Sequence, residues 1–238
     1  MIAATADLSA KKDKTLTHLR GVILDVDGTL IESNDAQARA WVEAMTEHGY
    51  SVPYEKVRRL IGKGGDKVLP ETIGISSESD VGKQISDRRG EIFKQRYLPT
   101  LQPTPGAKAL LEEMHRCGLK LSVASSAPAD ELQTSLKIVE ASDLVEEASS
   151  SKDAKESKPA PNIVAATLKK IGYPADEVVM LGDTPYDIEA AGKIGIGTIA
   201  VRCGGWSDTE LVGAIAIYDD PADLLKHYDS SPLAHQPE

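Results

Sequence analysis

The chain predicts an α/β fold: a doubly wound parallel sheet with a Rossmann-like core and an all-α domain inserted near its start. Three observations carry this. GVILDVD at 21–27 is a short aliphatic run that ends in acids and enters Gly28-Thr29, the pattern of a buried parallel strand running into a loop. From 34 to 97 apolar residues recur at helical spacing with no convincing strand among them. After TLQPTPG at 100–106, whose prolines and glycine mark a boundary, helices alternate with aliphatic strands.

Taken in order, the first helix covers 34–48, where Ala36, Ala40, Trp41, Ala44 and Met45 share a face and Gly49 stops the run. Further helical patterns occupy about 53–61, 66–73 and 78–97, separated by IGKGG and GISS. Beyond the boundary come helix 106–117, strand LKLSVAS, helix 128–138, a polar connection through 150–158 and helix 159–171. Strand EVVMLGD, helix 185–192, strand GTIAV, helix 207–213, strand AIAIY and helix 221–227 complete the pattern. At least five strands alternate with helices, the signature of a doubly wound parallel sheet, and the stretch before the boundary reads as an all-helical block. The Ser/Lys/Glu-rich stretch at 149–158 reads as a solvated loop.

Composition narrows the function. The 238 residues carry 27 Lys+Arg against 37 Asp+Glu, a formal net charge of −10 that repels nucleic-acid phosphates and anionic lipid. One Phe, two Trp and seven Tyr leave the core mostly aliphatic. Cys117 and Cys203 form no CxxC pair, which argues against a disulfide framework or a zinc site and for a reducing cytoplasm. The first twenty residues read as a short polar arm, and no stretch approaches the roughly 20 apolar residues of a membrane span. A monomer or small homo-oligomer without nucleic-acid or membrane partners is expected.

Ligands of such sheets bind beyond the carboxyl ends of the strands, so the residues there matter most. Asp25 and Asp27 end the first strand, and two like charges about 4 Å apart cost on the order of 4 kcal/mol at an effective dielectric of 20, so the pair attracts a proton or a cation. Asp183 ends another strand, and Asp187 follows one helical turn later on the same face. The four acids are expected to converge as an all-oxygen site for a hard divalent ion, for which Mg²⁺ is the natural choice. Singly, each also reads as a turn or helix-start acid. Ser125 and Ser126, before Ala127-Pro128, could hold a phosphate through hydroxyl and free backbone N–H groups, and Lys158 could set a cation against it.

Together, DVDGTL at 25–30, VASS at 123–126, SKPAP at 157–161 and GDTPYD at 182–187 resemble, in order and context, the four motifs of the haloacid dehalogenase-like superfamily. The likeness runs from about 20 to 228 and matches the helical block to that family's small cap, which implies a cap over 34–103 inserted in a core domain of residues 1–33 and 104–238. It implies that Asp25 is a nucleophile that forms an aspartyl phosphate and also touches Mg²⁺. Asp27 becomes the general acid and base, with its backbone carbonyl on the metal. Ser125 then bonds the transferring phosphoryl group and Lys158 neutralises it, while Asp183 and Asp187 hold the metal or its waters.

Asp27 favours phosphate-ester chemistry over dehalogenation or phosphonate cleavage. Related sugar-phosphate mutases carry a His twelve residues after the nucleophile, where this chain has Gln37, and an Arg in the cap loop, where it has Gly65. Both departures favour a phosphatase acting on a small phosphorylated metabolite, a sugar phosphate or phosphoglycolate-like ester, with a phosphomutase and a phospho-Asp receiver module as rivals. In the cap loop IGKGGD, Gly62 is expected to let backbone approach substrate and Lys63 to reach an anion or hydroxyl. Thr29 is a further candidate for substrate contact.

Overall fold

The structure is a computed structural model that describes residues 19–234; the polar arm expected at 1–20 lies outside the described residues apart from Leu19 and Arg20. Six strands, β1 Gly21–Leu24, β2 Lys120–Ala124, β3 Glu147–Ser149, β4 Val178–Gly182, β5 Gly197–Val201 and β6 Ala216–Tyr218, form one sheet in the order β3-β2-β1-β4-β5-β6. Every pairing is parallel. Aliphatic β1 is buried along its whole length because both faces are covered. Val22 and Leu24 join the apolar cluster of α5 (Ala107–Arg116), whereas Ile23 packs with α7 (Asn162–Ile171) and α8 (Pro185–Gly192). That alternation is the sequence period of two read out as two helical layers.

Register places the chemistry. Leu24 lies opposite Val123 on one side and Leu181 on the other, so β1, β2 and β4 end level and the residues that follow emerge along one edge. The Asp25 amide still donates to the Leu181 carbonyl at 2.8 Å. Between β1 and Pro103 the chain forms the helices α1 Asn34–Glu47, α2 Tyr54–Arg58, α3 Gly65–Ile73 and α4 Asp80–Ile92 and no strand of the sheet, with α1 packed on α2 and α4. The insertion leaves and rejoins the sheet through a narrow neck. Ile31 bridges Pro103 in antiparallel fashion, and the Thr104 amide donates to the Leu30 carbonyl at 2.9 Å.

Four elements differ from expectation. β3, of sequence EAS, has no apolar run and forms because β2 offers an open edge. The pattern at 53–61 yields a helix only over Tyr54–Arg58, and that at 78–97 ends as α-helix at Ile92 and widens into a π-type turn over Phe93–Tyr97. The helix expected at 207–213 is a series of turns: the Ser207 amide and hydroxyl both donate to Glu210 Oε2, and Gly205 and Gly213 stand at φ of 87° and 105°. The remaining helices are α6 Ala129–Ile138 and α9 Pro221–Lys226. No helix among the described residues is long and apolar enough to cross a membrane.

Candidate active site

Three of the four predicted acids converge. Asp25, Asp183 and Asp187 are buried and each offers an oxygen to a group in which all lie within 4.8 Å of one another. The Asp27 carboxylate stands outside this group, half-buried at the cavity above it. The turn that carries Asp27 past Asp25 requires Gly28, at φ 81°, and a Cβ at Gly28 or Gly204 would overlap an Asp183 oxygen.

Lys158 is enclosed by the cluster: its Nζ donates to Asp25 Oδ1 and, at 2.7 Å, to Asp187 Oδ1. Burial alone would lower this ammonium, but Asp187 and Asp25 raise it above the usual lysine range. Burial also pushes Asp25 well above the ordinary carboxylate range against the pull of Lys158. Asp183 is pushed up to about 7, first by burial and then by repulsion from Asp187. One ammonium does not balance three carboxylates, and the excess negative charge in an all-oxygen donor set fits a hard divalent cation. Asp187 serves two ends: Oδ2 accepts from the Thr184 amide at 3.0 Å in a capping box that starts α8, while Oδ1 faces Lys158.

The match to known proteins agrees with this geometry. Residues 22–201 fit the family described as haloacid dehalogenase-like hydrolase. The chain belongs to the haloacid dehalogenase-like hydrolases. A phosphoglycolate phosphatase of Rhodospirillum rubrum is 27% identical to it over 215 residues, covering 86% of this chain and 89% of that protein. The chloroplastic Suppressor of Quenching 1 protein of Arabidopsis thaliana is 34% identical over 188 residues, 76% of this chain, but the chain spans only 18% of that protein's length. The crystal structure of a hydrolase from Pseudomonas syringae superposes with a TM-score of 0.81 at 30% identity, covering 89% of this chain and 98% of that one.

In this hydrolase the remaining predicted residues divide by depth. A cavity of about 430 Å³ between insertion and sheet edge is lined by Asp25, Asp27, Gly62, Lys63 and Ser126, and walled by Trp41. Ser125 lies buried below, its Oγ accepting from the Ala127 amide at 3.1 Å, so its proton is available to donate. Ser126 Oγ donates to the Gly62 carbonyl at 3.4 Å, which ties this loop of the insertion to the sheet edge. Gly62, at φ 106°, lies where a Cβ would press on Thr184 and Tyr186, so its backbone packs on the start of α8.

Two of the candidate substrate contacts are held by protein partners. Thr29 is fully buried, and its hydroxyl donates to Asp183 Oδ1 at 3.1 Å, so it braces the cluster. Lys63 donates to both oxygens of Glu71 at 2.9 Å and lies over the Tyr186 ring, so its charge is already engaged at the cavity wall. Sequence reasoning missed Asn34, whose Nδ2 donates to Asp183 Oδ2 at 2.9 Å, and Gln37 as a partner of Asp27. It also missed the buried pair Arg89–Glu131. Asn34 had one available signal, its place just past the first motif at the start of α1.

Proposed function

We propose that this hydrolase is a Mg²⁺-dependent phosphatase that releases phosphate from a small phosphorylated metabolite, a sugar phosphate or phosphoglycolate-like ester, with residues 34–103 acting as its cap. The reading rests on one observation above the rest: Asp25 and Asp27 open onto the same cavity with different partners. Asp25 is bound into the cluster with Lys158, as a nucleophile beside a cation should be. Asp27 is held at Oδ1 by Gln37 and Ser33, which leaves Oδ2 to exchange a proton.

In the first half-reaction Asp25 attacks phosphorus while the bond to the ester oxygen breaks, and Asp27 gives its proton to that oxygen. In the second, Asp27 takes a proton from water as the water attacks phosphorus, and the bond between phosphorus and Asp25 breaks. Lys158 offsets charge on the phosphoryl oxygens, and the Ser125 hydroxyl and the Ser126 backbone amide orient them by hydrogen bonds. Asp25, Asp183, Asp187 and the Asp27 carbonyl would hold the cation, which when bound neutralises the phosphoryl group further. Two free cysteines are in keeping with a cytoplasmic enzyme.

A phosphate-release screen over a metabolite panel, with Mg²⁺ and with chelator, tests the reading. Release should require Mg²⁺ and vanish in Asp25→Asn. Isomerised sugar phosphate appearing faster than free phosphate would instead establish the mutase, which Gln37, lacking a ring nitrogen to shuttle protons, argues against.

A further inference from the structure

A second set of buried polar groups joins the insertion to the acid. Arg89, on α4, is 9% exposed, and its Nη1 donates to both oxygens of Glu131 at 2.9 Å. Its Nη2 donates to Oε1 of Gln37, whose Nε2 donates to Oδ1 of Asp27 at 3.1 Å. The direction of this chain is forced. A guanidinium only donates and a carboxylate only accepts, so the amide between them has one workable orientation. Trp41 and Phe93 flank the guanidinium at 5.5 and 5.2 Å from their ring centres.

Glu131 anchors the arrangement to the core. It stands in the first turn of α6, 1% exposed, where the helix start favours an acid. Burial pushes its carboxyl up, and Arg89 is the strongest group opposing that. Ser33 Oγ also donates to Asp27 Oδ1, so both ties fall on one oxygen and Oδ2 has no partner among the described residues.

We infer that Arg89 is a positioning residue for protonation of the leaving group: clamped by Glu131, it orients the Gln37 amide that fixes Oδ1 of Asp27 and thereby aims Oδ2 at the ester oxygen. The inference rests on the proposed phosphatase reading, in which Asp27 is the acid. It makes the aim of the acid depend on the seating of α4 against α6, so protonation is efficient only with the insertion in place. It also explains why a guanidinium is buried at the seam although neither Asp25 nor Lys158 touches it.

The consequence is a dependence on leaving group. An alkoxide must be protonated as it departs, whereas p-nitrophenolate leaves without help, so misaiming Asp27 should slow alkyl esters selectively. The experiment compares an alkyl phosphate that the wild type hydrolyses with p-nitrophenyl phosphate, in Arg89→Lys, Gln37→Leu and Gln37→Glu. We expect kcat on the alkyl ester to fall roughly 10- to 100-fold in Gln37→Leu with KM within about 3-fold. The loss on p-nitrophenyl phosphate should be at least about fivefold smaller. Gln37→Glu, which keeps the Arg89 contact but sets a carboxylate against Asp27, should show the largest selectivity, and Arg89→Lys an intermediate one. Gln37→Leu leaves the Arg89–Glu131 pair intact, so it reports even if the arginine variant folds poorly. Equal losses on both esters, or none, with release still abolished by Asp25→Asn, overturn this inference alone. Wild-type release that survives Asp25→Asn overturns the phosphatase reading and this inference with it.

Discussion

Two buried charged clusters lie on either side of one cavity, and they are built on opposite principles. At the strand ends three carboxylates face a single lysine, and burial holds Asp25 and Asp183 above the ordinary carboxylate range. At the seam one arginine faces one glutamate, with a neutral amide carrying the contact onward to Asp27. The first cluster is short of positive charge and therefore suited to binding it. The second is balanced, so it has no use for an ion and is suited to holding geometry. Buried charge marks a site of binding only where the charges do not cancel.

The most severe break in this contrast is Asp25→Asn, which should lower phosphate release at least about 1,000-fold while the protein keeps its unfolding midpoint or gains stability, because one repelling charge is gone. Assays of release alongside urea unfolding would show it; a less stable variant would mean that the cluster is balanced after all. The seam should behave in the reverse way. Arg89→Met strands Glu131 and should cost about 3–5 kcal/mol, whereas Arg89→Met with Glu131→Leu should recover most of that loss. Urea titrations of the two variants decide it.

Next in size is the pH dependence in chelator. The native state holds the Asp183 proton up to about 7, above the ordinary aspartate value, so it binds more protons than the unfolded chain in between. The associated stability is therefore present at low pH and lost as pH rises through about 7. Between pH 5 and 8 the decline attributable to this group should be on the order of 2 kcal/mol, absent in Asp183→Asn and reversed by adding Mg²⁺ at pH 8. Unfolding midpoints with no such difference between the two proteins would remove the charge-deficient picture. The smallest effect should come from Val212→Asp, at a side chain 77% exposed and remote from both clusters, with a change within about 0.5 kcal/mol by the same measurement.

The first cluster was legible in the sequence because its residues sit in local patterns: an aliphatic strand, then an acid, then a turn. Parallel pairing does the rest, placing Asp25 beside Asp183 although 157 intervening residues separate them in the chain. The seam was not legible, since Arg89 and Glu131 look like any charged residues on helices and only packing of α4 on the core buries them. The same limit hid β3, whose EAS contains nothing of a strand's apolar pattern and is recruited by the edge of β2. It worked in reverse at 207–213, where Leu211 is buried as a helix would have it, but glycines and the Ser207–Glu210 contacts turn the chain instead. Asp187 shows how both readings of one residue can hold, with one oxygen capping α8 and the other facing Lys158.

The neck formed by Ile31 with Pro103 and Leu30 with Thr104 has an evolutionary consequence. Loop-closure entropy rises only with the logarithm of length, about 0.6 kcal/mol for each doubling, and the closure itself is made by these few pairs at the base. Beyond them the insertion meets the core through separate side-chain contacts, among them Asn34 on Asp183, Gly62 with Ser126 and Arg89 on Glu131, none of which pairs with a strand. An ancestral chain could therefore exchange, enlarge or redecorate the insertion without disturbing the alignment of β1, β2 and β4. Innovation in what is recognised is uncoupled from inheritance of the chemistry, provided that each new insertion keeps a way to reach Asp27.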